Sequence, residues 1–244
     1  MYLENLVFDA VEPQRLGAFW EAAVGGQTLT DEPAGFETRL TVEEGPVLDL
    51  CFQRVPERPR EPLRLHLDLF GADRQAEVVD RLLRLGAHHL DIGQGDTPWV
   101  VLADPEGNPF CVMEERTSYA DTGPIAALPL SSADPDRDAE FWAWLTGWTD
   151  VDGLAPRSLR HPSRRGPLLE MLPESTPKTG TKNRLHLDLR LEATDDPDGL
   201  AAGIAERGGR ETFHPEWGEL PWRFFEDPSG NELCLLPARA AEPG

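Results

Sequence analysis

Hydrophobic and polar residues follow two kinds of spacing along the first half of this chain. Residues 13–24 and 73–85 repeat apolar side chains at helical spacing, and Gly25 and Gly26 end the first of these helices. Elsewhere apolar and polar positions alternate, which predicts strands because successive strand side chains point to opposite faces. The predicted strands are 4–9, 36–42, 47–53, 64–70, 87–92, 99–102 and 110–114.

The second half repeats three landmarks of the first half in the same order. The offsets between the copies are 120, 122 and 123 residues, and such nearly constant offsets indicate an internal duplication. We therefore predict two tandem domains, 1–117 and 123–239, joined by a polar linker. The repeated landmarks are Arg-Leu-His-Leu-Asp-Leu at 64–69 and 184–189, Phe-Trp at 19–20 and 141–142, and the turn Asp-Pro-x-Gly-Asn at 104–108 and 227–231.

Helix starts in the second half are marked by Asp134-Pro135 and Asp196-Pro197, since aspartate caps a helix and proline suits its first turn. These helices run to about Trp144 and Arg207. The matching strands are 168–172, 184–191, 222–225 and 232–236.

Composition narrows the class of protein. The formal net charge is −21 and the pI is about 4.6, so a nucleic-acid backbone or an anionic membrane surface would be repelled. No apolar run approaches the roughly 20 residues of a membrane helix, and the N-terminus lacks a secretory signal pattern. The three cysteines, Cys51, Cys111 and Cys234, form no CxxC motif, which indicates a reduced, cytoplasmic protein.

The duplicated histidine strand, the Phe-Trp helix and the DPxGN turn together resemble the glyoxalase, bleomycin-resistance and extradiol-dioxygenase superfamily, also called the vicinal oxygen chelate (VOC) superfamily. The resemblance covers nearly the whole chain and is strongest to the glyoxalase-like branch. It implies an α+β fold of tandem βαβββ modules, which form two open-barrel domains. It also implies a monomeric pseudo-dimer or a homodimer. The sequence leaves open whether each cleft forms within one domain or by exchange of modules.

Metal-dependent members of this superfamily place ligands on the first and last strand of each module. At these positions this chain has Ala127, which cannot ligate, and Asn5, which is a poor ligand for a transition metal. It has Cys111 and Cys234 where glutamate is usual. The resemblance therefore implies the clefts without implying the metal, and we predict no metal and no cofactor. The corresponding positions are Asn5, Asp49, His66 and Cys111 in the first half and Ala127, Glu170, His186 and Cys234 in the second.

The His-x-Asp pairs are the candidate chemical groups. His66 and Asp68 share a strand face, and a carboxylate beside an imidazole makes an acid–base pair, so we take these two as candidate catalytic residues. His186 and Asp188 repeat them. The alternative is that both pairs only tie strands together inside a polar cavity. Trp99 and Trp222 precede the turns and either wall a ligand pocket or belong to the core.

Three functional hypotheses follow. The leading one is a protein that binds a small apolar or aromatic molecule without a metal. The second is a lyase, isomerase or dioxygenase that uses a divalent ion held by His66, Asp49 and Cys111. In the third, the second domain is a scaffold, so that His66→Ala abolishes ligand binding and His186→Ala does not.

Overall fold

The computed structural model of the chain describes residues 1–57, 63–215 and 218–240, and its strands and helices form four successive βαβββ modules. Module 1 consists of β1 (Tyr2–Ala10), α1 (Pro13–Val24), β2 (Gln27–Glu32), β3 (Gly35–Thr41) and β4 (Val47–Arg54). Module 2 consists of β5 (Asp68–Ala72), α2 (Gln75–Leu85), β6 (His88–His89), β7 (Val100–Ala103) and β8 (Pro109–Glu114).

The second half has the same order of elements. Module 3 consists of β9 (Ile125–Ser132), α3 (Pro135–Thr146), β10 (Thr149–Val151), β11 (Arg157–Arg160) and β12 (Leu168–Pro173). Module 4 consists of β13 (Leu185–Arg190), α4 (Pro197–Glu206), β14 (Arg210–Thr212), β15 (Arg223–Glu226) and β16 (Glu232–Leu236). The predicted α+β fold with tandem βαβββ modules is confirmed.

The modules pair across the two halves of the chain. Modules 1 and 4 form one eight-stranded sheet, in the order β14-β15-β16-β13-β1-β4-β3-β2. Modules 2 and 3 form the other, in the order β10-β11-β12-β9-β5-β8-β7-β6. Antiparallel pairs join the modules, β1 with β13 and β5 with β9, and within the described residues neither sheet closes into a barrel. The question that the sequence left open is thereby answered. The boundaries 1–117 and 123–239 stay a prediction.

The helices cover one face of each sheet and leave the other face open. Leu65, Leu67 and Leu69 point into the core with the helices, as their alternation with His66 and Asp68 predicts. The equivalent leucines of β13 do the same. Polar residues of the same strands therefore lie on the side away from the helices, which we call the open face of each sheet.

The duplicated landmarks prove to be structural ties. The indole of Trp20 in module 1 donates a hydrogen bond of 3.1 Å to Asp104 in the turn of module 2. Trp142 and Asp227 repeat this contact at 3.1 Å between modules 3 and 4. Both aspartates are buried and also accept backbone N–H groups of their own turns. Each tie therefore joins the two sheets through a fully satisfied carboxylate.

The arginine of each repeated motif ties the two halves of the chain together. Arg64 donates to the side chain of Asn231 at 2.8 Å, and Arg184 donates to Asn108 at 3.0 Å. Each arginine thus holds the DPxGN turn of the other half. The repeated motif, which is the strongest signal in the sequence, therefore supplies contacts that hold the two halves together.

Several predicted elements differ in length from those observed. Only the C-terminal part of the predicted strand 64–70 belongs to a regular strand, β5, and the part before it makes a single bridge from Leu65 to Leu130. The reason is that β5 shifts register once against each of its two neighbours. The predicted strand 87–92 is reduced to His88–His89. The edge strand β2 was not predicted, since its residues QTLTDE are mostly exposed and show no apolar alternation. Among the described residues, no helix has the length and apolar character to span a bilayer.

Candidate functional site

One row of side chains crosses the open face of the sheet that modules 1 and 4 form. Pairing places Asp188 beside Cys234 on β16 and beside Asn5 on β1, and places Asn5 beside Asp49 on β4. Paired residues on neighbouring strands put their side chains on the same face. The structure therefore brings four of the predicted site residues from both halves into one line.

His186 lies on the same face as this row, two residues along β13. Its Nε2 lies 3.3 Å from Oδ1 of Asp188, and the other carboxylate oxygen accepts a hydrogen bond of 3.3 Å from the Asn5 amide. His186 is only 6% exposed, and its Nδ1 has no hydrogen-bond partner among the described residues. We call the open face around this residue the His186 cleft.

Asp49 ends the row in a bidentate ion pair. Arg39 donates to its two oxygens at 2.8 and 2.7 Å. Both oxygens are thereby occupied. The predicted metal set of His66, Asp49 and Cys111 was wrong, because Asp49 belongs to one sheet and the other two residues to the other.

A cavity of about 690 Å³ opens beside His186. One wall is aromatic: the ring centroids of Trp222 and Phe224 are 6.4 Å apart, and those of Phe224 and His214 are 5.3 Å apart. Leu220 adds apolar surface. The remaining lining includes charged and polar residues from both halves, among them Asp9, Gln53, Arg54, Lys182, Asp188, Glu226, Glu232 and Cys234.

The sheet of modules 2 and 3 has a corresponding row of different composition. Cys111 pairs with Asp68, Asp68 with Ala127, and Ala127 with Leu168. Alanine and leucine thus stand where the other sheet has Asn5 and Asp49. Beside this row, Nε2 of His66 lies 3.4 Å from Oδ1 of Asp68. We call this open face the His66 cleft.

Tyr119 of the linker packs against the row of the His66 cleft. The polar linker was predicted as a connection only, but Tyr119 is fully buried in an apolar cluster on this face. Arg160 fixes the adjoining backbone by donating to the carbonyl of Ala120 at 2.7 Å. The other buried members of the cluster are Val101, Cys111, Met113, Ala126, Ala127 and Leu168.

Glu170 is a buried acid in the His66 cleft. Burial, and then the neighbouring charge of Asp68, raise its pKa to about 7. Its Oε1 has no partner in the described part of the chain, and neither do the buried hydroxyls of Ser158 and Tyr119. Glu170 lies opposite Pro129 on the neighbouring strand, at the level of His66. Leu168, opposite Ala127, occupies the position that corresponds to Asp49 in the other sheet.

The two predicted tryptophans have different surroundings. Trp222 lines the His186 cleft. Trp99 packs against the apolar cluster of Tyr119, with the guanidinium of Arg116 at 5.9 Å from its ring centroid. The sequence analysis did not select Phe224 or Tyr119. Phe224 shares a strand face with Trp222 at i and i+2, which could have identified it, whereas burial of Tyr119 has no local signal.

Each cleft holds a trio of side chains with metal-ligating atoms. His66, Asp68 and Cys111 in one cleft, and the corresponding trio in the other, each have one ligand atom within 4.8 Å of those of their neighbours. Burial and the adjacent aspartate raise the pKa of both cleft thiols, Cys111 and Cys234, so that without a cation they stay protonated. The donor types fit a divalent ion such as Zn²⁺, with three protein ligands.

Comparison with known proteins agrees with the fold and its duplication. The family model described as Glyoxalase-like domain matches the chain twice, over residues 5–113 and 127–236. No curated protein matches the chain.

Two solved structures align with both halves of the chain. Glyoxalase I from Zea mays is 17% identical, over 97% of this chain and 92% of that protein, with a TM-score of 0.69. The cppA protein from Streptococcus pneumoniae TIGR4 is 14% identical, over 98% of each chain, with a TM-score of 0.52. At such identities the likeness concerns the fold alone. On the two family matches, the chain belongs to the glyoxalase-like domain family of the VOC superfamily.

Proposed function

We propose that this protein binds a small aromatic or apolar molecule in the His186 cleft and that it does so without a metal. The observation that carries the proposal is the cavity of about 690 Å³, where an aromatic wall stands beside a buried imidazole. Cavities of roughly 300–1,000 Å³ that combine apolar walls with a few polar groups are typical of small-molecule sites.

The aromatic wall would supply most of the binding free energy. Trp222 and Phe224 are both half-buried, so each presents ring surface to the cavity. Covering such surface with a flat apolar ligand removes it from water, and ring–ring contacts add to that gain.

His186 would give the ligand its orientation. In the neutral imidazole, a proton on Nε2 faces Asp188 and leaves Nδ1 as an acceptor. Because Nδ1 is buried and without a partner among the described residues, a hydroxyl or N–H of the ligand would satisfy it. Asn5 holds the carboxylate of Asp188 from the other side.

The donor groups of this cleft disfavour a metal. Asn5 presents its N–H group to Asp188, and Asp49 is neutralised by Arg39. The thiol of Cys234 has a raised pKa. A cation held by His186, Asp188 and Cys234 would have to remove the thiol proton and could not recruit Asp49 without displacing Arg39, which disfavours binding of the ion.

The duplication offers matched variants that test this proposal. Aromatic fragments would be screened by thermal shift, and the dissociation constants of hits measured by tryptophan fluorescence. We expect Trp222→Ala and His186→Ala to weaken binding by about tenfold or more, and Trp99→Ala and His66→Ala to change it by less than about twofold. Loss of binding in His66→Ala alone would refute the proposal and support the hypothesis that the second domain is a scaffold.

A second candidate function, a divalent-metal-dependent lyase, isomerase or dioxygenase, is favoured by the trio His66, Asp68 and Cys111. These residues would hold the ion, which would supply Lewis-acid chemistry when bound. Glu170, with its raised pKa, would be the nearby acid–base group. Elemental analysis of protein purified without a histidine tag tests this function. About one equivalent of metal, lost in His66→Ala, would support it, and no metal after growth with iron, zinc, nickel and manganese would reject it.

A further inference from the structure

The carboxylates that line the His186 cleft differ in whether a basic side chain offsets their charge. Within residues 1–57, 63–215 and 218–240, no lysine or arginine pairs with Asp188, whose neighbours are the amide of Asn5 and the imidazole of His186. The other carboxylates of the lining are each paired: Asp9 with Lys182 at 2.7 Å, Glu226 with Arg210 at 2.6 Å and Glu232 with Lys178 at 2.9 Å.

Two buried acceptor atoms of this cleft lack a hydrogen-bond partner in the described part of the chain. They are Nδ1 of His186 and Oδ1 of Asp188. Nε2 of His186 lies 3.3 Å from that oxygen, but the approach does not have the geometry of a hydrogen bond. Both residues line the cavity. Because a buried acceptor without a donor is costly, a ligand that donates hydrogen bonds would relieve that cost.

The basic residues of the lining have their donors in use elsewhere. Lys182 donates to both oxygens of Asp9 and to the carbonyl of Asn183, which occupies the three N–H groups of an ammonium. The guanidinium of Arg54 lies on the helix side of its strand, where it donates to Gln14 of α1. Neither side chain therefore offsets the charge of the buried carboxylate in the cleft.

Strand pairing places Asp188 on the same face as the aromatic wall. Phe224 pairs with Cys234, and Cys234 pairs with Asp188, so the three side chains share the open face. Neighbouring strands are about 4.8 Å apart, which puts the backbone of Phe224 about 10 Å from that of Asp188. The wall continues to Trp222, whose ring centroid is 6.4 Å from that of Phe224. The space between wall and carboxylate suits a flat aromatic body with a short arm.

We propose that the ligand of the His186 cleft is an aromatic amine, whose protonated nitrogen donates to Asp188 and His186 while its rings lie against Trp222 and Phe224. This inference rests on the proposed function and names the ligand class for the same cleft. An ammonium supplies the donors that the two buried acceptors lack and offsets the charge of the carboxylate. Aromatic faces also attract a cation, and the net charge of −21 favours the approach of cations over anions.

The test compares two probes of similar size that differ in charge. Binding of 2-naphthylmethylamine, which is protonated at neutral pH, and of neutral 2-naphthylmethanol to the full chain would be measured by isothermal titration calorimetry. We expect the wild type to bind the amine about tenfold more tightly, because charge-assisted hydrogen bonds are stronger than neutral ones. Most of this preference should persist at high salt, since a buried pair is screened much less than the general attraction by surface charge.

Variants at two carboxylates assign the preference. Asp188→Asn keeps the shape of the side chain and an acceptor oxygen but removes the charge, so it should abolish the preference for the amine. Glu140→Gln is the control, since it makes the same change of net charge at an exposed position of α3 and should keep the preference. A full preference for the amine in folded Asp188→Asn would refute the proposal.

The comparison in the wild type decides the ligand class even if Asp188→Asn does not fold. If the wild type binds both probes equally and Trp222→Ala weakens both, the ligand class is refuted and the proposed function stands. If neither probe binds at millimolar concentration, both proposals are refuted.

Discussion

The two clefts share the motif Arg-Leu-His-Leu-Asp-Leu, yet their neighbouring strands give them opposite character. Around Asp188 the row continues to Phe224, Asn5 and Asp49. Around Asp68 the corresponding row continues to Val101, Ala127 and Leu168. One cleft therefore has a polar row beside an aromatic wall, whereas the corresponding row of the other is more apolar and packs against the buried Tyr119.

The comparison teaches that the repeated motif in each cleft does not by itself set the chemistry of that cleft. Each sheet joins a module from either half of the chain, so the residue opposite the motif comes from a different repeat. Divergence of modules 1 and 3 alone, at Asn5 against Ala127, changes the neighbours of two identical motifs. Two copies of one motif can thus lie in clefts with different neighbouring residues.

The largest expected effect removes the buried side chain that packs against the row of the His66 cleft. Tyr119→Ala should lower the free energy of unfolding by about 4 kcal/mol, because it leaves a cavity among buried apolar side chains. Urea unfolding measures this loss. Phe213→Ala is the matched control: that ring is 81% exposed, and the change should cost less than about 1 kcal/mol. Equal losses in the two variants would mean that Tyr119 does not support this face.

A pH experiment sharpens the difference between the clefts through Glu170. Its folded pKa of about 7 lies above the ordinary value of 4.5, so the folded state holds this proton more tightly. Its contribution to stability is fully present below about pH 4.5 and is lost as the pH rises towards 7. Glu170→Gln should therefore be more stable than the wild type at pH 8, by about 3 kcal/mol, and similar at pH 4.

Urea unfolding at several pH values would follow this change. Asp227 also has a pKa raised by burial, to about 6, so the wild type alone would not isolate the effect of Glu170. The difference between variant and wild type does isolate it. Glu140→Gln, at an exposed position of α3, should leave the pH profile of the wild type unchanged. A variant profile parallel to that of the wild type would contradict a strongly raised pKa at Glu170.

The smallest expected effect makes one row resemble the other. Asn5→Ala introduces the residue found at position 127 and removes the amide that donates to Asp188. We expect a loss of about 1 kcal/mol in stability and about fivefold weaker ligand binding, since His186 would lose its oriented partner. Fluorescence titration measures the affinity. Unchanged affinity would show that Asp188 needs no support from module 1.

Much of the fold could be predicted because alternation and helical spacing are local. The helix Pro13–Val24 was predicted at both ends, since proline and glycine mark its limits. Strand β2 was missed because an exposed edge strand needs no apolar face. For the candidate site, the sequence named Asn5, Asp49, His186 and Cys234, but it could not group them, because pairing between distant strands leaves no local signal.

The sequence by itself indicated the duplication, the helices and most of the inner strands, and the face of each of those strands that points to the core. Only the tertiary structure decided which modules share a sheet, and with them which side chains share a cleft. The physical reason is that strand periodicity fixes the direction of a side chain but not the strand beside it. Burial of Tyr119 likewise depends on contacts between segments far apart in the chain.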